Sequence, residues 1–522
     1  MDTTAQSYDE LPYPNLVFPQ THPNRIAAIA SLFGVATKAP GRSRILELGC
    51  GTASNLIAMA VELPEATLVG VDFSRRQIET GNARIAAAGV GNVTLRHADL
   101  ADISSDWGQF DYIIAHGVYS WVPEAVQKKI LEICRTQLAP EGIAYVSYNC
   151  YPGWHMRTIL RDMMAFRTNG TEGALPRVRQ AREVLDFMAG NATQGTPFAS
   201  FLSGEAALLR GAEDGYVFHE YLERHNSPVY FHQFAAQAGQ AGLQYLGDAS
   251  PQTLSDGALS AEAVETLSRM GNGDVLQTEQ YLDFLRNRSF RESLLVHREV
   301  PLRRQFDLQA LQGLHFAAPV AAIAGDFDAN AAAPVDFSLP DGSRFAVSNT
   351  LVKALLKTFA NRWPRSATYA ELTQDIAVQL QGGLSAAQGE ELSRYLLAGF
   401  LHGTIEMTVA PWRCGTLGEM NPLVSTLARQ QAQDNLPVVD LRHRIIQDSP
   451  GLRLILPYLD GQRSIAEIGA LILQRALSGE VQISREGQRV TAPEVLQQLI
   501  SEDLAIFLRQ VQGLSLLLAA TD

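Results

Sequence analysis

Three carboxylates are spaced through the first hundred residues: Glu47, Asp72 and Asp99. Glu47 stands two residues ahead of the glycine pair in Gly49-Cys50-Gly51. Glycines there let the backbone approach a ligand in dihedrals that a side chain forbids. A helix starting just behind them offers free N–H groups and a partial positive charge. Asp72 closes a run of β-branched and apolar residues, where its carboxylate can accept both hydroxyls of a ribose. Phe73 and Ser74 follow it directly. Ala98-Asp99-Leu100 ends the next such run and suits an adenine amino group. Together these residues describe a nucleoside site. A dinucleotide turn needs a third glycine at position 54, where this chain has Ser54.

The spacing also predicts the elements that carry these groups. Strands are expected at 44–48, 66–72, 93–97 and 110–115, the last ending in His116-Gly117 and the aromatic run Tyr119, Trp121. Helical spacing covers 52–63. A second helix spans 74–88, from a serine cap to Gly89. A third covers 123–138, a Pro140-Glu141-Gly142 turn follows, and a fifth strand spans 143–148. Alternation with short links predicts a parallel, doubly wound sheet with its ligand at the C-terminal strand ends.

Acidic-x-Gly-x-Gly, a carboxylate about two dozen residues on and another after strand three resemble the class I S-adenosylmethionine-dependent methyltransferases. The resemblance implies an α/β, Rossmann-like, doubly wound fold with S-adenosylmethionine as cofactor. It implies that Glu47, Gly49, Cys50 and Gly51 line the cofactor, with Asp72, Phe73 and Ser74 at the ribose. Asp99 and Leu100 then face the adenine, and His116 and Gly117 the reacting end. The proline- and aromatic-rich leader, with Tyr8, Tyr13 and Phe18, reads as a lid over that cofactor, Tyr13 included.

Methyl transfer from a sulfonium requires no metal and no covalent intermediate, only alignment and an unprotonated acceptor. Acceptor-side candidates follow strands four and five: Tyr119, Trp121, Asn149, Tyr151 and Trp154. An aromatic channel there suits a lysine ammonium through cation–π contact. His219 and His232 read as core histidines. The four cysteines show no metal-ligand spacing and are expected to be reduced cytoplasmic thiols.

With 522 residues and 46% hydrophobic content, the chain exceeds a single core. Five regions are expected. These are a lid and cofactor-binding core (1–154), a helical insertion (155–215) and the rest of the transferase domain (216–305). A middle (306–415) and a C-terminal (416–522) α+β winged-helix-like domain complete the chain. Residues 190–211 look loose and rich in small residues, and AAPVAAIAGDFDANAAAP reads as a linker with little core. No apolar run reaches the roughly 18 residues needed to span a bilayer, and no signal peptide is evident at the N-terminus. A net charge of −13 argues against nucleic acid. Residues 286–304, with six arginines against two glutamates, read as a solvated strand edge. The helix–turn–helix units near 350–376 and 451–473 carry Glu371, Asp375 and Glu467, which favours protein contact over DNA.

YDELPYPNLVFPQTHP, ELGCGTASN, HGVYSWVP, SYNCYPGW and HEYLERHNSPVYFHQF together resemble the bacterial methyltransferases with a methyltransferase regulatory domain. That group includes the rickettsial outer-membrane-protein lysine methyltransferases. The narrower resemblance implies protein lysines as acceptors and a dimerising insertion, hence a homodimer. A small molecule or natural product as N- or O-acceptor, or a cofactor-sensing DNA-binding regulator, are the competing expectations.

Overall fold

A computed structural model describes residues 10–13, 16–254, 259–418, 421–485 and 488–519 of the chain; Tyr8 lies outside them. β1 (Arg44–Leu48), β2 (Thr67–Asp72), β3 (Val93–His97), β4 (Phe110–Ala115) and β5 (Leu138–Tyr151) run parallel. The short β6 (Val229–Tyr230) extends the tip of β5. Downstream come β7 (Leu243–Asp248) and β8 (Phe290–His297), and the sheet order is β3-β2-β1-β4-β5-β8-β7. β8 slots between β5 and β7 and is antiparallel to both. The start of β8 therefore lies beside the end of β5, with Phe290 opposite Asn149 and Glu292 opposite Ser147.

β5 begins earlier than its sequence implies. Phe110 pairs with Leu138 but Tyr112 with Ile143, so Pro140-Glu141-Gly142 forms a bulge within the strand rather than a turn before it. The helix Arg75–Ala88 starts where the Ser74 hydroxyl accepts from the Gln77 amide and ends at Gly89 in the left-handed region, φ +68°. A cap of this kind contributes on the order of 1 kcal/mol.

Three helices follow β5: Trp154–Thr168, Ala174–Asn191 and Pro197–Gly211. The third replaces the loose segment expected at 190–211. Thr196 caps it with Pro197 in its first turn, and the small residues Ala199 and Ala206 are its buried face. Their shared core holds Leu160, Met164, Val178, Leu185, Leu202 and Leu209.

The arginine-rich stretch is not a solvated edge. Arg291 is fully buried on a strand that is interior to the sheet and is paired with Asp248, Glu279 and Asp283. Arg288 pairs with Asp248 as well. Burying that guanidinium is tolerable only because several carboxylates surround it.

The middle region joins β-strand His315–Ala317 antiparallel to Ala367–Thr368 and Glu406–Thr408, beside helices Thr350–Arg362, Tyr369–Gln379 and Ala386–Leu401. Its core is continuous with one face of the sheet, running from Ile29, Ile45 and Leu68 to Phe316, Phe359 and Leu396. The alanine-rich segment is part of that core and not an idle linker, since Ala317, Ala318, Val320 and Ala329 are buried. The last region packs Thr426–Gln433, Pro450–Ile455, Ile465–Leu477 and Pro493–Gly513 around Leu456, Ile468 and Leu504. A capping box, Ser464 with Glu467, starts its helix Ile465–Leu477. Among the described residues no helix is long and apolar enough to cross a membrane.

Candidate active site

The turn after β1 is built from the backbone. The amides of Gly49 and Cys50 both donate to the Val71 carbonyl, at 2.9 and 3.0 Å. Gly49 has φ +70° and Gly51 φ +54°. A Cβ on Gly49 would stand 2.6 Å from the Val118 side chain, so that position admits only glycine. The Gly51 amide donates to Asp72 Oδ2 at 2.8 Å and the Ser74 amide to Asp72 Oδ1 at 2.9 Å. Two backbone donors thus fix the carboxylate at the mouth of the turn. Phe73 is 43% exposed beside it, a bare aromatic ledge at a strand end. Asp99 accepts from the Ala101 amide at 2.9 Å and opens the short turn that contains Leu100. Ser74 is used as a helix cap, and Cys50 is a buried thiol pushed up by burial.

Glu47 pairs across with Gly70, on the face of the sheet that Asp72 shares, and is buried. Its Oε1 accepts from Asn55 Nδ2 at 2.8 Å, and its Oε2 has no hydrogen-bond partner among the described residues. Burial, with a lesser contribution from Asp72, pushes its carboxyl up to about 8. A buried acceptor without a donor is costly, and beside a glycine turn it is the feature a ligand's ammonium would satisfy. The Asn149 side-chain Nδ2 at the end of β5 is likewise buried without a partner. The pocket therefore fits a ligand offering both a cation and acceptors.

His116 directly follows β4. Its Nδ1 lies 2.8 Å from the Tyr145 hydroxyl, and Phe18 stacks over its ring at 3.7 Å. Burial lowers the imidazole to about 3, so it is neutral. Burial, with the nearby Glu292 carboxylate, pushes the Tyr145 phenol well up. Glu292 accepts from Gln20 Nε2 at 2.7 Å and from the Ser250 hydroxyl, and burial raises its carboxyl. The Gly117 amide donates to the Ser147 hydroxyl at 2.8 Å. A neutral imidazole, a phenol and a buried carboxylate are thereby brought into one line. Such a line can orient an amine and accept its proton.

Of the acceptor-side candidates, the structure separates what the sequence grouped. Tyr119 is in the core, its hydroxyl donating to Gln237 and its ring edge-on to Phe234 at 5.3 Å. Trp121 and Trp154 are buried edge-to-face at 6.4 Å. Arg161 already covers the Trp121 ring at 5.7 Å and Arg157 the Trp154 ring at 5.3 Å. These three are packing residues and not an open cage, because their rings are spent on neighbours within the chain. Tyr151 remains half-buried, stacked on His155 at 4.0 Å and 5.2 Å from Tyr230. Tyr13 sits beside Tyr216 and His219, with ring centroids 6.3 and 6.0 Å away. Phe18, from the same leader, lies against the His116 ring. His219 bonds the Leu11 carbonyl and His232 bonds Gln280, both structural.

Sequence reasoning missed Asn55, Tyr145, Gln20 and Glu292. Asn55 was readable, since it stands in the first turn of the helix Ser54–Glu62. Glu292 had no local signal. A cleft of about 690 Å³ lined by Arg135, Leu138, His297 and Pro301 opens where β5 begins and β8 ends, at the opposite end of the sheet from this chemistry. Among the described residues no cluster of His, Cys, Asp or Glu could hold a metal.

Three family models match the chain: a methyltransferase domain at 45–142, a predicted methyltransferase regulatory domain at 213–297, and the PKMT C-terminal winged helix domain at 421–516. An uncharacterized protein of Rickettsia prowazekii is 33% identical over 499 residues, 94% of this chain and 90% of the relative. A second from that organism is 41% identical over 245 residues, 47% of this chain and 98% of the relative. The structure of PKMT2 from Rickettsia typhi in complex with AdoHcy superposes with a TM-score of 0.88 at 30% identity, covering 97% of this chain and all of that one. With its sheet order, its glycine turn and these likenesses along nearly its whole length, the chain belongs to the class I S-adenosylmethionine-dependent methyltransferases that carry a methyltransferase regulatory domain and a PKMT winged-helix domain.

Proposed function

We propose that this enzyme transfers the methyl group of S-adenosylmethionine to lysine side chains of proteins, as a cytoplasmic homodimer. The observation that carries the reading is the likeness to PKMT2 over 97% of this chain, which takes in the C-terminal regions as well as the transferase sheet.

In this reading the cofactor supplies an electrophilic methyl on a sulfonium, and the chain positions it. Asp72 accepts the ribose hydroxyls, Phe73 and Leu100 flank the adenine, and Asp99 accepts its amino group. The unpartnered Glu47 oxygen receives the ammonium of the cofactor's amino-acid end. The backbone of Gly49 and Gly51 admits it closely, and Phe18 closes over His116. His116, Gly117 and Asn149 then stand at the strand ends facing the methyl. Tyr151 and Tyr230 form an aromatic approach for the lysine ammonium, and the His116–Tyr145–Glu292 line offers a route for its proton.

Dimerisation through the inserted helices is supported by their uncovered apolar side chains. Phe166 is 88% exposed and Phe187 62%, with Leu175 also bare, a combination that marks an interaction face. All four cysteines are buried free thiols, which supports a reducing compartment. The test is incubation of the purified chain with methyl-labelled S-adenosylmethionine and a bacterial lysate resolved by size. Label on discrete protein bands, removed by no mild hydrolysis of esters, is expected. Label confined to small molecules overturns the protein acceptor.

A further inference from the structure

One side-chain amide, Asn55, links a loop of the C-terminal region to the residues around Glu47. Asn55 Oδ1 accepts from the Phe18 backbone N–H at 3.0 Å and lies 2.7 Å from His443 Nε2. A backbone N–H can only donate, so the oxygen of Asn55 faces Phe18 and His443. Its nitrogen must then face Glu47 Oε1, at 2.8 Å, and the Thr21 hydroxyl, at 3.1 Å. It follows that His443 carries its proton on Nε2 and donates it. His443 lies 388 positions from Asn55 in sequence and is held at φ +61°, a strained conformation for a β-carbon residue. It is 1% exposed, and edge-on to His22 at 5.2 Å. Val439, four residues earlier, packs with Val17 and Ala58. The segment 17–22, which carries the Phe18 lid, is thus clasped between the transferase sheet and a loop of the C-terminal region.

We propose that His443 is a positioning residue for the cofactor pocket: through Asn55 it orients Glu47 and holds the Phe18 lid closed. The C-terminal winged-helix region is then a working part of the transferase and not an appended module. If the clasp opens, the Asn55 amide is free to rotate, so Glu47 Oε1 loses its fixed donor and the Phe18 amide loses its acceptor. The inference rests on the placement of the cofactor beside Glu47 and Gly49.

The test uses the full chain with S-adenosylhomocysteine as probe, titrated by calorimetry. Asparagine tolerates the left-handed backbone but is too short to reach Asn55, whereas glutamine reaches it with a donor. His443→Asn is expected to raise the dissociation constant about tenfold, and His443→Gln to stay within about twofold of the wild type. Asn55→Ala with His443→Asn is expected to bind no worse than Asn55→Ala alone, because both changes break one path. Equal affinity of His443→Asn and wild type, with only the melting temperature moved, overturns the proposal and leaves His443 a packing residue. A second measurement needs no variant. Binding and clasp closure are reciprocal, so the probe should slow amide exchange at 438–444 in the wild type; unchanged exchange there also overturns the proposal. Failure of the wild type itself to bind, or full binding by Asp72→Ala, would instead refute the placement of the cofactor.

Discussion

The Tyr145 hydroxyl stands 2.8 Å from His116 Nδ1, and burial, helped by the nearby Glu292 carboxylate, pushes the phenol up. Burial keeps the phenol protonated and the imidazole neutral, so the two share one hydrogen at this contact. The tautomer with its hydrogen on Nδ1 donates to the phenol and leaves Nε2 as a bare acceptor. Proton transfer from an ammonium along this line would end on Glu292, whose carboxyl burial has already raised. Tyr145→Phe should cut the transfer rate on the order of a hundredfold. Affinity for S-adenosylhomocysteine should change little. Equal losses in rate and affinity would mean that Tyr145 only props the sheet.

Asp72 holds the Gly51 amide as well as the proposed ribose. Asp72→Ala should weaken cofactor binding by about 2–3 kcal/mol, the range for hydrogen bonds to a charged group. Calorimetry at one pH is sufficient. An unchanged dissociation constant would move the ribose elsewhere.

Glu47 predicts a proton balance. Its carboxyl lies at about 8 in the folded chain against a usual 4.5. A raised carboxyl binds its proton more tightly folded than unfolded, so its contribution to stability is complete below about 4.5. That contribution is lost as pH climbs through about 8. Glu62, also buried and raised to about 8, acts in the same direction. The ligand-free chain should therefore melt progressively lower from about pH 7 to 8, above the range in which the buried neutral imidazoles of His22, His116 and His443 favour the folded chain as pH rises. An ammonium beside Glu47 favours the carboxylate, so binding S-adenosylhomocysteine at pH 7 should release close to one proton. Titration in buffers of different ionisation heat reads it, and Glu47→Gln should abolish the release. A release unchanged in that variant would assign it to another group.

The strand ends were legible because each is announced locally, by β-branched runs ending at Glu47-to-Gly51, Asp72, Asp99 and His116. What could not be read was pairing across the chain. Glu292 reaches Tyr145 only because β8 inserts backwards beside β5, and no residue near either announces that. His443 meets Asn55 across most of the sequence for the same reason. Trp121 and Trp154 were misread, although Arg157 stands three residues past Trp154 on the same helix, a spacing that covers the ring. The helix Pro197–Gly211 was hidden by small residues that are its packing face, and Thr196-Pro197 was the available sign.

The exposed rings of the inserted helices predict an assembly. Phe166→Asp with Phe187→Asp should give monomers by light scattering, where the wild type is a dimer at micromolar concentration. Both side chains are already in water in the single chain, so the melting temperature of the subunit itself should not fall. A monomeric wild type would remove the dimer from the proposal.

The acceptor makes the most exposed prediction. A lysine ammonium near 10.4 in water must lose its proton before it can attack. Below that value the neutral fraction grows tenfold per pH unit, so the rate should rise between about pH 7 and 9. His116 adds no limb in this range, because burial holds it near 3 and uncharged throughout. With Trp121 and Trp154 covered by arginines, the ring left to guide the ammonium is Tyr151, half-buried against His155 and Tyr230. Tyr151→Ala should therefore raise the Michaelis constant for a lysine-rich protein while cofactor affinity holds. Trp154→Ala should instead lower stability, by about 3–5 kcal/mol as for other buried aromatic truncations. Mass spectrometry of the product decides the chemistry. Methyl groups on lysine Nζ, at a rate that climbs with pH, are expected; methyl groups on hydroxyls or carboxylates, or a rate flat from pH 7 to 9, would end the lysine reading.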